Sequence, residues 1–214
     1  MTKPTSKLDE IGEKVCSFFS VEDEAREKGL KLSRETIRFS ANAIRAVHRK
    51  DYDQAKELIE SARSCVDEMN DVLAQHPDLL YGGFVLNGQK EYAEASITFA
   101  LVFGKELPEP EDLGVSYAAY LNGLGEAAGE MRRYLLDTLR EGNIDQCEQT
   151  LQAMDDIYSL LVTIDYHDAL TGGLRRTTDM VRGVTERSRG DLTVALRQSH
   201  LERKLADLEN DLKK

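Results

Sequence analysis

Gly88-Gln-Lys-Glu-Tyr-Ala-Glu-Ala-Ser-Ile-Thr-Phe-Ala-Leu-Val-Phe103 decides how the chain folds. From Ala95 to Phe103 it carries no charge and is apolar on nearly every side. The run is too short to span a bilayer. A helix that is apolar all round in a water-soluble chain is a buried one. Its entrance nonetheless carries two carboxylates, Glu91 and Glu94, three residues apart and therefore on one helix face. A second pair, Glu126 and Glu130, lies four residues apart in the next helical stretch, again on one face.

Outward from this stretch, the pattern is helical throughout. The chain has 214 residues, 15 Gly, 4 Pro and no Trp, with long segments rich in Ala, Leu, Glu, Arg and Lys. This composition indicates an all-α fold. The periodicity gives a short amphipathic helix over Leu8–Phe19 after a frayed start. Ser20, followed by Glu22, Asp23 and Glu24, reads as the cap of a second helix running to about Lys50. Asp51 opens the next, which ends at His76-Pro77 because proline disfavours helix at the residue before it. Further helices are expected over about 79–103, 115–140 and 144–164, and from Leu174 to the end, with bends near Gly183 or Gly190. Loops are expected at 104–114 and 166–173. The sum is an elongated antiparallel bundle of six to seven long helices. Neither an internal repeat nor a low-complexity linker breaks the chain, so residues 1–214 read as one domain.

Cys16, Cys65 and Cys147 are odd in number and lack metal-ligand spacing, so they read as reduced thiols. With no secretory signal or transmembrane run, the expected location is cytoplasmic and no membrane partner is expected. The net charge of −11 argues against non-specific nucleic-acid binding over the whole surface. It leaves room for a local stripe. Lys31, Arg34, Arg38, Arg45 and Arg49 recur at offsets that keep them on one helix face, with His48 beside them. Such a stripe attracts a polyanion. The alternative is a solvated face paired with Glu35 and other acids.

The carboxylate pairs also admit two readings. Glu126, Glu130, Arg133 and Asp137 alternate in sign as an exposed, ion-paired face does. Alternatively, the two helices pack antiparallel and their pairs meet. Two unit charges 4 Å apart repel by about 4 kcal/mol at an effective dielectric of 20. Four such groups must protonate, splay or bind cations. Oxygen-only donors suit Mg²⁺, or Mn²⁺ as the other hard ion. Three glycines stand in the second helix, each costing about 1 kcal/mol relative to Ala. Gly123 shares the stripe of Glu126 and Glu130, which indicates close approach of a neighbour.

Three segments together resemble the translin/Trax family, and within it the Trax-like, C3PO-type subunits. They are Ser33-Arg-Glu-Thr-Ile with Ile44-Arg-Ala-Val-His-Arg49; Gln89-Lys-Glu-Tyr-Ala-Glu-Ala95; and Tyr120 to Tyr134, with its Glu126-x-x-Gly-Glu-Met-Arg-Arg ending, followed by Glu141-Gly-Asn143. The resemblance spans roughly residues 20–212. It implies a translin-like bundle that assembles into a hollow homo-oligomer, an octamer in the family, and a metal-dependent endoribonuclease that hydrolyses RNA enclosed in the cavity. By the match of motifs, catalysis and metal binding fall on Glu91, Glu94, Glu126 and Glu130. Glu126 stands where Trax has Asp, which moves the carboxylate by one methylene. RNA contacts fall on Arg34, His48 and Arg49 by the match, and on Arg38 and Arg45 by helical spacing. The implied partner is single-stranded or short duplex RNA, with a translin-like second subunit left open. Two other readings stand beside the nuclease. One is a non-catalytic, translin-like protein binding single-stranded RNA or DNA. The other is an all-α nucleoside triphosphate pyrophosphatase, which also sets paired carboxylates around Mg²⁺.

Overall fold

A computed structural model describes Thr5 and residues 7–212 of the chain. The described part is all-α. Six long helices carry it: α1 Leu8–His48, α2 Tyr52–Leu73, α4 Gly83–Val102, α6 Tyr117–Arg140, α7 Ile144–Val162 and α9 Leu174–Leu212. Three single-turn helices punctuate the connections, α3 Pro77–Leu80, α5 Pro110–Leu113 and α8 Asp168–Thr171. The frayed start expected before Leu8 falls largely outside the described residues.

The expected break at Ser20 does not occur. One helix of 41 residues runs from Leu8 to His48, a rod of about 60 Å. A hydroxyl followed by acids is a start signal only where the chain leaves the preceding helix. Nothing before Ser20 forces it to leave, because the segment holds no proline and its one glycine, Gly12, meets nothing within 4 Å. Likewise, α9 continues through Gly183 and Gly190 without interruption. Elsewhere the caps act as read. The Asp51 side chain accepts from Gln54 N, Ser116 accepts from Ala119 N, and Asn143 accepts from Gln146 N. Gly142, before Asn143, takes the left-handed φ of 79° that the tight turn needs.

The helices form two groups of three. In the first, α2 runs antiparallel to α1, with Leu32 near Met69 and Leu73 and, at the other end, Ala46 near Ala55. α4 then returns alongside both. In the second, α7 runs antiparallel to α6, with Leu161 near Leu124 and Cys147 bonded to the Leu135 carbonyl. α9 returns along that pair, where Thr177 reaches Asn122 and Arg132 reaches Ser188 and Asp191.

The two groups join along α4 and α6, and this seam corrects the expected topology. Ser116 N bonds the Gln89 side chain at one end, Gly123 meets Lys90 and Ala93 in the middle, and Met131 and Tyr134 pack on Leu101 and Val102 at the other. Contacts that advance together along both helices mean that α4 and α6 are parallel. The reason lies in the connection over residues 103–116. It is long enough to carry the chain back along α4, which is roughly 30 Å in length, so adjacency in sequence does not impose antiparallel packing. The main core lies at this seam, with Tyr92, Ala93 and Ile97 from α4 against Leu124, Ala127 and Ala128 from α6. Among the described residues, no helix is long and apolar enough to cross a membrane.

Candidate metal centre

The close approach of α4 and α6 is set by Gly123. A Cβ there would stand 2.7 Å from the Lys90 carbonyl oxygen, 2.9 Å from Ala93 Cβ and 3.0 Å from Glu94 N. Backbone lies against backbone, so no larger residue fits without parting the helices. Two residues on, Gly125 does the same for α9, where a Cβ would overlap Thr177 at 2.2 Å. Gly129 has open space around it, and its reason is not packing. A Gly123→Val protein is expected to lose about 3 kcal/mol of stability through overpacking at the seam. Urea denaturation measures it, and a loss below about 0.5 kcal/mol would show that the seam can yield.

This contact places Glu126 of α6 opposite Glu91 and Glu94 of α4. One carboxylate oxygen from each of the three lies within 4.8 Å of the others. Glu94 is the buried member, 8 % exposed. Burial first, then the fields of Glu126, Glu91 and Glu130, push its carboxyl up to about 8, while Lys90 pulls it down. A carboxyl held this far from its ordinary range, among convergent acids in a protein interior, marks a place that lacks positive charge.

Part of that charge comes from Lys90, a residue outside the four glutamates expected from the sequence. Lys90 Nζ lies 2.6 Å from Glu126 Oε1 and 3.3 Å from Glu91 Oε1, bridging the two helices. Burial lowers its pKa, but the hydrogen bond and charge of Glu126, with Glu91 behind, outweigh burial and hold it above the usual lysine range. Lys90 is therefore a resident cation. Its adjacency to Glu91 in the sequence was the available signal, but neighbours on a helix point to different sides, so spacing alone did not join it to the cluster.

Glu130 is placed apart from the trio. Its Oε2 lies 2.5 Å from His48 Nε2, a contact across 82 positions in the chain that joins the end of α1 to α6. The His48 side chain is 4 % exposed and, among the described residues, its Nδ1 has no hydrogen-bond partner. His48 thus faces inward and holds a carboxylate, rather than standing with the arginines beside it. Arg34, Arg38, Arg45 and Arg49 are exposed on one side of α1. Arg45 bonds Asn42, Arg49 bonds Gln54, and Arg38 lies over the Phe39 ring. Among the described residues none of the four forms an ion pair, so the stripe keeps its positive charge. Cys16 is exposed and Cys65 and Cys147 are buried, and all three are free thiols.

This architecture has solved counterparts. The chain matches a structure of an AfC3PO–duplex RNA complex with a TM-score of 0.79 and 29 % identity, covering 90 % of this chain and 97 % of that one. A crystal structure of AfC3PO gives 0.78 and 29 % over 90 % and 98 % of the two chains. The chain resembles the C3PO structures of the translin/Trax family over most of its length. Apo-NeC3PO shares the fold, with a TM-score of 0.76 at 24 % identity, covering 91 % of this chain and 99 % of that one. An uncharacterized protein from Methanocaldococcus jannaschii is 29 % identical over 202 residues, 92 % of this chain and 89 % of that one. No family model matches the chain.

Proposed function

We propose that this chain is a Mg²⁺-dependent endoribonuclease acting on RNA within a homo-oligomeric shell. The observation that carries the reading is the buried Glu94 carboxyl converging with Glu91 and Glu126 on a C3PO-type scaffold. The donor set fits the metal: three carboxylates, no sulfur, and an excess of negative charge. Glu91, Glu94 and Glu126 would hold it. Bound there, Mg²⁺ or Mn²⁺ supplies Lewis acidity toward water and the scissile phosphate. Glu130, kept in place by His48 through Oε2, would accept a proton from the attacking water through its other oxygen. Arg34, Arg38, Arg45 and Arg49 supply the phosphate contacts, and His48 acts by positioning Glu130. Hydrolysis in this scheme leaves 5′-phosphate and 3′-hydroxyl ends.

Assembly is supported by exposed apolar side chains at both ends of the fold. Leu8, Ile11, Val15 and Phe18 follow heptad spacing on the first turns of α1, and Leu201, Leu205, Leu208 and Leu212 do so on the last turns of α9. Self-pairing of such stripes removes them from water. The family resemblance gives eight copies.

Cleavage of end-labelled single-stranded and short duplex RNA, with Mg²⁺ and with EDTA, tests the activity. Metal-dependent cutting is expected in the unaltered protein and is lost in Glu94→Ala and Glu130→Ala while RNA binding persists. Full cutting by both variants would exclude this site. RNA retention without any metal-dependent cutting selects the non-catalytic, translin-like reading. For the stripe, Arg34→Glu with Arg38→Glu is expected to weaken RNA binding by about tenfold or more and to flatten its salt dependence, by a slope of roughly 0.7 per lost phosphate contact on a single strand. Filter binding at several salt concentrations measures both, and an unchanged slope would remove these arginines from the interface.

A further inference from the structure

A cavity of about 650 Å³ opens directly beside the three glutamates, between α4, α6 and the turn that starts α9. It is lined by Glu126 of the cluster and by Lys90, which bridges Glu126 to Glu91. Asn87 and Arg176 line it as well, with Met180 giving an apolar wall and Asp168 a second acid. Its volume lies within the range of small-ligand sites, roughly 300–1,000 Å³.

Its charges are arranged for an anion. The Arg176 guanidinium has no hydrogen-bond or ion-pair partner among the described residues, whereas the neighbouring Arg175 holds Asp165 at 3.4 Å and lines a different cavity. Lys90, the other cation, leans on Glu126 and Glu91. Lys90 already lines the cavity, and its Nζ would turn to it if those carboxylates held a divalent ion. The exposed Asn87 amide has no partner among the described residues and offers both a donor and an acceptor to a polar ring edge.

We infer that this cavity is the subsite for the single nucleotide adjoining the scissile bond, with Arg176 and the released Lys90 gripping its phosphate and its base lying between Asn87 and Met180. The inference deepens the nuclease reading and rests on it for the word scissile, but the binding it requires is independent of turnover. Arg176 is a specificity and binding residue in this account, not a group that touches the reacting atoms.

The test is calorimetric titration of adenosine 5′-monophosphate into the full chain, with Mg²⁺ and with EDTA. Saturable binding is expected, tighter with Mg²⁺, and weaker by about tenfold or more in Arg176→Ala, while Arg175→Ala stays within about twofold. Adenosine and inorganic phosphate, titrated separately, are each expected to bind about tenfold more weakly than the nucleotide, because each lacks half of the contacts. Equal binding of the nucleotide to the unaltered protein and Arg176→Ala, or no saturable binding, overturns the subsite. With RNA, Arg176→Ala is expected to raise KM and leave kcat within about threefold. An equal fall in kcat with KM unchanged would contradict a binding role. If RNA is not cut but the nucleotide binds through Arg176, the nuclease reading fails and the subsite stands. If RNA is cut and the nucleotide ignores Arg176, the subsite alone fails.

Discussion

Replacing Glu94 by Gln is expected to stabilise the metal-free protein at pH 8.5 while abolishing its metal-dependent chemistry. The Glu94 carboxyl titrates near 8 in the folded chain, against an ordinary value of 4.5. Between those values the folded protein keeps a proton that the unfolded chain releases. Stability therefore falls as pH rises from about 4.5 through about 8, because the unfolded state is favoured by ionisation that burial opposes. At about 1.4 kcal/mol per unit, the full loss is on the order of 5 kcal/mol at most. A Gln side chain of the same shape does not ionise and escapes it. Urea denaturation in EDTA should show the variant more stable by several kcal/mol at pH 8.5 and about equal to the unaltered protein near pH 4.5. The same stability change at both pH values would contradict the burial account. Mg²⁺ should raise the melting temperature of the unaltered protein more at pH 8.5 than at pH 5.5, since only the ionised cluster offers three anionic ligands.

Lys90→Met is expected to act in the opposite sense on the metal-free protein and to tighten metal binding. The ammonium offsets repulsion among Glu91, Glu94 and Glu126, and it also occupies the cation's place between Glu91 and Glu126. Without it, the metal-free fold loses its internal counter-charge and an incoming ion has nothing to displace. An increase in Mn²⁺ affinity of about tenfold or more is expected, equivalent to about 1.4 kcal/mol. Titration calorimetry measures it at pH 8. Unchanged or weaker Mn²⁺ binding would show that Lys90 does not compete with the metal. RNA cleavage should nonetheless fall in this variant, because the released Nζ is then missing from the phosphate grip.

The parts of the fold that read clearly in the sequence are those written in local chemistry. Asp51, Ser116 and Asn143 each cap the helix they precede, and Pro77 ends one helix and starts the short one after it. The uncharged run after Glu94 is buried as its composition demands, with Ala95 to Thr98 all inside. The Gly123 stripe signalled close packing, and the backbone contact with Lys90 and Glu94 is its cause.

What did not read clearly depends on which helices meet. Ser20 and its acids look like a cap, yet a cap signal is silent when the preceding residues remain helical. The parallel run of α4 and α6 is decided by the 103–116 connection, whose length permits either direction. The His48–Glu130 contact links α1 to α6 and has no local signature. His48 stood among arginines in the sequence, but it directly precedes Arg49, and adjacent residues on a helix point to different sides, which turns His48 inward to α6. Lys90 was obscured because a charge next to a charge suggests solvent, whereas here two helices enclose it.

The direct measurement is anomalous diffraction from crystals of the full chain soaked in Mn²⁺ at pH 8. One or more manganese peaks coordinated by Glu91, Glu94 and Glu126 are expected, with Lys90 Nζ withdrawn from Glu126. Crystals that hold no manganese there, with the Lys90–Glu126 contact intact at saturating Mn²⁺, would contradict the claim that this cluster is a metal centre.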